Sequence, residues 1–112
     1  MVATGRKRYL STDISVDAKV TQLIEEVGPW AGLLYTWMIP HAEEDGTLTA
    51  HPMELKMKIF PGLSVGVEDI KQAVQSMESI GLITVSGEQI LFPVDSFYKY
   101  QSKVAREKRR TA

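Results

Sequence analysis

Lys71, Gln72 and Gln75 lie close together in the sequence, and they are residue types that read nucleic-acid bases. A glutamine amide can pair with an adenine edge, and a lysine with guanine or a phosphate. Their neighbours predict how they are presented. Ile70, Ala73, Val74, Met77 and Ile80 recur at helical intervals from Val67 to Ile80, so one stripe faces a core. Glu68, Lys71, Gln72, Gln75, Glu78 and Ser79 are then turned outward. The same helix also holds Glu68, Asp69 and Glu78 against Lys71, a net charge of −2. Affinity for nucleic acid comes largely from cations that displace counterions, and this helix supplies little of that.

The cations are elsewhere. The formal charge of −1 over 112 residues conceals a separation. Arg6, Lys7 and Arg8 give the first eight residues +3. Lys99, Lys103, Arg106, Lys108, Arg109 and Arg110 against Glu107 give residues 99–112 a charge of +5. Between them, four basic residues meet thirteen acidic ones, a net of −9. An acidic body with basic ends predicts phosphate contacts through the ends. Tyr98 and Tyr100 stand beside the basic run, where they could stack on exposed bases. The alternative is that the run is a solvated linker.

Other chemistry has less to stand on. His41, Glu43, Glu44, Asp45 and His51 do not have the spacing of a metal site, so no metal or other cofactor is expected. No glycine-rich phosphate loop, nucleophile elbow or Cys–His pair is present, so an enzyme is not expected. Trp30 and Trp37 stand at core spacing and read as core. There is no cysteine, which excludes disulfides and agrees with a reducing cytoplasm. No apolar run reaches the roughly 18 residues of a membrane span, and no secretory signal follows Arg8.

The elements that position these residues can be placed along the chain. Residues 1–12 read as a basic arm, 13–98 as one folded domain and 99–112 as a basic tail or linker. Val16, Val20, Leu23, Ile24 and Val27 mark a first helix, with Ser15 as its N-cap and Gly28 as its stop. Pro29 opens a second helix whose stripe is Trp30, Leu33, Leu34, Trp37, Met38 and His41. Pro40 predicts a kink or a tightened finish. Thr47–Thr49 is a short strand with Leu48 inward. A third helix runs from about Pro52 to Phe60, with Leu55, Ile59 and Phe60 in the core and a stop at Pro61-Gly62. Residues 61–66 turn into the Val67–Ile80 helix, which Gly81 ends in a left-handed conformation. A two-residue Gly87-Glu88 loop then makes a hairpin in which Val85 faces Ile90 and Ile83 faces Phe92. The wing tip carries Glu88 and no cation, which suits a hairpin that completes the core. The fold class is mainly α with a small β-sheet (α+β): a winged helix-turn-helix with an extra N-terminal helix.

Four stretches also resemble one family. They are Ile39-Pro40-His41-Ala42-Glu43-Glu44-Asp45-Gly46; His51-Pro52 through Lys56 with Phe60-Pro61; Val67-Glu68-Asp69-Ile70 through Gly81-Leu82-Ile83; and Phe97-Tyr98-Lys99-Tyr100-Gln101. In this order they resemble the N-terminal winged-helix domain of phage replisome-organiser and replication-initiation proteins, akin to DnaD-type primosomal proteins. The resemblance spans about residues 6 to 101. It implies a domain that binds DNA or associates with itself as a dimer while a helicase is loaded at an origin. It also implies that a helicase or helicase loader is contacted through a further region, absent here. The acidic helix 67–80 departs from what major-groove reading needs. Two other readings stay open: a winged-helix protein-interaction module, and a small transcriptional regulator.

Overall fold

A computed structural model describes residues 10–93. Within them a 3₁₀ turn, Thr12–Val16, leads into α1 (Ala18–Val27) and α2 (Pro29–His41), then β1 (Thr47–Thr49), α3 (Pro52–Ile59), α4 (Val67–Ile80), β2 (Thr84–Ser86) and β3 (Gln89–Leu91). The three strands form one antiparallel sheet in the order β1-β3-β2. Helices α2, α3 and α4 with this sheet make a winged-helix-like α+β fold, and α1 is the extra helix that packs on α2 and α4.

The first helix begins later than Ser15. Its N-cap is Asp17, whose Oδ1 accepts hydrogen bonds from the Lys19 and Val20 N–H groups at 2.8 and 3.1 Å. A carboxylate at this position satisfies two otherwise orphaned donors and favours the positive end of the helix dipole. Ser15 instead donates its hydroxyl to the Thr12 carbonyl. Val16 belongs to the 3₁₀ turn and is 78% exposed, so the inward face of α1 starts at Val20 and Leu23.

Gly28 has φ +134°, ends α1 and precedes Pro29 at the first position of α2. The chain reverses there, and α1 lies along α2. A Cβ at Gly32 would sit 2.7 Å from Ile24 Cγ1, so the bare backbone sets how closely the two helices cross.

Helix α2 is apolar on all sides, which left its inward stripe ambiguous. Ala31, Leu34 and Met38 are fully buried, while Leu33 is 38% and Trp37 41% exposed. Of the expected stripe, Leu33 and Trp37 are therefore turned towards solvent, while Trp30 packs against the core half-buried. Trp37 keeps an edge-to-face contact with Phe60, at a ring separation of 5.3 Å. Pro40 lies inside the last turn, and the Ala42 N–H is shared between the Met38 and Ile39 carbonyls, a tightened finish rather than a break.

Helix α3 ends at Ile59, with Phe60 as its C-cap. Lys56 Nζ donates to the Phe60 carbonyl at 2.7 Å and to the Leu63 carbonyl. This cation at a helix C-terminus holds the start of the turn into α4. Asp69 Oδ2 accepts from the Gly66 N–H at 3.1 Å, which fixes where α4 begins. Gly81 ends α4 at φ +95°.

The hairpin pairs Val85 with Ile90 and Thr84 with Leu91, and Gly87 takes φ +60°. That is the conformation wanted at the first loop position of a II′ turn. Ile83, Ile90 and Phe92 are buried and Val85 packs against the same core, whereas Thr84 is exposed. Leu48, on β1, is buried opposite Ile90. One core thus unites α1–α4 and one face of the sheet. Phe60, Leu23, Leu34, Met38, Leu55, Ile70, Met77 and Ile90 are its largest fully buried side chains.

Candidate nucleic-acid interface

Burial of Ile70, Ala73, Val74 and Met77 orients α4. Glu68, Lys71, Gln72, Gln75, Glu78 and Ser79 are all exposed, as their spacing predicts. They do not share one environment. Gln72 and Gln75 line a groove of about 670 Å³ with Asp69, Ser76 and Ser79 of α4 and with Glu26, Val27 and Trp30 across from them. Lys71 is not among the lining residues. The two amides are therefore brought together with two carboxylates, and the lysine of α4 does not line the groove with them.

The opposite wall of this groove comes from the α1–α2 junction. At Gly28 a Cβ would meet Trp30 Cδ1 at 3.2 Å and Nε1 at 3.3 Å, so the indole lies against the glycine backbone. Glu26 Oε1 accepts from Gln22 Nε2 at 3.0 Å. Sequence spacing along α4 could not reveal Glu26 or Trp30 as neighbours of Gln72 and Gln75. The usable signal was Gly28-Pro29, which marks the reversal that brings them there.

The cations of the body are mostly committed. Residues 10–93 contain Lys19, Lys56, Lys58 and Lys71 against twelve carboxylates, a net of −8. Lys19 Nζ donates to the Gly81 carbonyl at 3.3 Å, and Lys56 holds the turn after α3. Lys58 lines a second groove with Glu43, His51, Glu54, Glu88 and Gln89, where carboxylates again predominate. Glu78 Oε2 accepts from the Val85 N–H at 3.0 Å, tying α4 to the hairpin, whose tip is Gly87-Glu88. Lys71 is left as the cation best placed beside the outward face of α4.

Arg6, Lys7, Arg8, Lys99, Lys103, Arg106, Lys108, Arg109 and Arg110 lie outside the described residues, as do Tyr98 and Tyr100. Among the described residues, no group of three or more His, Cys, Asp or Glu side chains converges on a point. No helix there is long and apolar enough to cross a membrane.

No protein-family model matches the chain, and neither a curated protein nor a solved structure is similar to it at a significant level.

Proposed function

We propose that this chain is a DNA-binding winged-helix domain of a phage-type replication initiator. In this reading its basic ends grip phosphates, and α4 adds a small number of base contacts. The observation that carries it is the succession of α3, a turn, an outward-facing α4 and a hairpin. This is the arrangement that presents a helix to a DNA groove. Exposed Gln72, Gln75 and Lys71 supply base-edge and phosphate donors. The body, at −8, repels phosphates, so most of the attraction falls to Arg6, Lys7, Arg8 and the six cations of residues 99–112.

Titration of duplex DNA at several salt concentrations tests this. Each phosphate contact contributes about −0.9 to the slope of log K against log salt. Changing Lys103, Arg106, Lys108, Arg109 and Arg110 together to Gln is expected to flatten that slope by several units and to weaken binding. If affinity and slope stay the same, the grip does not come from this segment and the reading fails.

A second reading, a protein-interaction or dimerisation module, is favoured by the exposed Leu33 and Trp37 on α2 together with the acidic body. It predicts concentration-dependent sedimentation without DNA. A monomer at high concentration counts against the self-association form of it.

A further inference from the structure

In this acidic protein, helix α2 contains no Asp, Glu, Lys or Arg from Pro29 to His41. Its outward strip holds Leu33 and Trp37, one turn apart on the same side. Trp37 reaches Phe60 at the end of α3. Met53, Met57 and Phe60 are spaced i, i+4 and i+7, so both methionines stand on the flank of α3 that meets Trp37. Leu63 follows in the turn, its N–H bonded to the Phe60 carbonyl. Leu33, Trp37, Met53, Met57 and Leu63 are each between 38 and 64% exposed. They are five of the seven exposed large hydrophobic side chains among the described residues; the other two, Leu10 and Val16, precede α1. The exposed apolar surface is therefore gathered on one face of α2, α3 and the turn that follows.

A fully exposed large apolar side chain offers about 200 Å², so these five leave roughly 500 Å² open to water. Single apolar residues on a surface are ordinary, whereas a contiguous patch of this size on a small chain marks a contact surface. Two copies joined through it bury roughly 1,000 Å² of apolar area, the threshold of a specific interface before its polar rim is counted. Charge favours the same pairing. The described residues carry −8, and α3 contributes +1 through Lys56 and Lys58 against Glu54. The remainder carries −9, and two copies repel wherever those parts meet. Lys56, between Met53 and Phe60 on the apolar flank, has its ammonium held by the Phe60 and Leu63 carbonyls. Glu54 and Lys58 belong to the other flank, where they line the second groove. The apolar face thus requires no opposite charge on its partner and complements itself about a two-fold axis. An anionic lipid surface would repel the acidic body.

We infer that this face pairs with a second copy of the chain, α2 and α3 of one copy against α2 and α3 of the other. Trp37 and the two methionines supply the adaptable apolar centre that such interfaces favour. The inference deepens the self-association reading and rests on it. None of the five residues lines the groove beside Gln72 and Gln75, so pairing leaves that groove open in both copies.

Sedimentation of the full chain without DNA, from about 1 to about 500 μM, is expected to show a monomer–dimer equilibrium with a dissociation constant in the micromolar range. NMR of methyl-labelled methionine in the same samples locates the interface. The Met53 and Met57 methyl signals should shift with concentration, while those of Met38 and Met77, fully buried in the core, stay in place. Met57→Lys puts a charge into the face at an already exposed position and should weaken association by about tenfold or more. A dimer in which the Met53 and Met57 signals do not move, or which Met57→Lys leaves intact, uses another surface. That result overturns the inference and leaves the self-association reading standing. A monomer at the highest concentration overturns both. Shifts of Met53 and Met57 that appear only when neutral phosphatidylcholine vesicles are added overturn a second copy as the occupant.

Discussion

Lys19 Nζ and the Gly81 carbonyl meet at 3.3 Å across 62 residues of sequence. The contact joins the first turn of α1 to the residue that ends α4. It places a cation at the negative end of the α4 dipole, where terminal carbonyls lack partners. The additional N-terminal helix is thus tied to the helix that would face DNA. Lys19→Met keeps most of the aliphatic length and removes the charge. A loss of about 0.5–1 kcal/mol is expected for an exposed contact of this kind. Urea unfolding at low and high salt checks it, and the difference between wild type and variant should shrink as salt rises.

The start of α1 gives a second test. Asp17→Ala removes a side chain that caps two N–H groups, and about 1 kcal/mol of stability should go with it. Ser15→Ala touches only a hydroxyl bonded to Thr12 and should change stability by less than about 0.5 kcal/mol. A larger loss at Ser15 than at Asp17 would mean that the helix begins where the sequence alone suggested.

Leu33 and Leu34 are neighbours of the same type with opposite fates. Leu34 is fully buried and Leu33 is 38% exposed. Leu34→Ala should cost about 2–5 kcal/mol through lost burial and a residual cavity. Leu33→Ala should cost less than half of that. Chemical denaturation of the two variants side by side reports the rotation of α2 directly.

Tyr35 provides a pH test. Burial, with a smaller contribution from the negative charge of Asp17, pushes its phenol from 10.0 up to about 12. Its ring packs near Phe92, with centroids 6.1 Å apart. The folded state therefore keeps this proton at pH values where the unfolded chain has lost it. Between pH 10 and 12 the native state binds more protons than the unfolded one, so stability falls as pH rises. The contribution is fully present below pH 10 and is lost as pH climbs through about 12. Its size is on the order of 2 kcal/mol. Tyr35→Phe should flatten this part of the stability–pH curve relative to wild type, measured by urea unfolding at each pH. An unchanged slope would show that other groups cause it.

Much of the fold was legible because local rules and tertiary packing agreed. Ile70, Ala73, Val74 and Met77 have one apolar stripe and one polar face, so α4 could be oriented from spacing alone. Gly81 and Gly87 occupy positive-φ positions that their turns demand, and the hairpin register followed from a two-residue loop. Leu48 likewise faced inward by alternation. Where a segment offered more than one solution, spacing did not choose. Helix α2 is apolar around its circumference, so Leu33 and Trp37 were as eligible for the core as Ala31. Near the start of α1, spacing alone pointed to Ser15, whereas the helix is capped two residues later by Asp17.

By itself, then, the sequence determined the order of elements, the outward face of α4, the hairpin and the separation of an acidic body from basic ends. These depend on periodicity, turn stereochemistry and charge count, which are local properties. Only the tertiary structure decided which side of α2 is buried and where α1 begins. It alone brought Glu26 and Trp30 opposite Gln72 and Gln75. The reason is physical: the chain reversal at Gly28 and the close crossing of α1 and α2 at Gly32 against Ile24 build one wall of the groove, and the packing of α1 on α4 sets it opposite the other. Neither helix encodes that juxtaposition on its own.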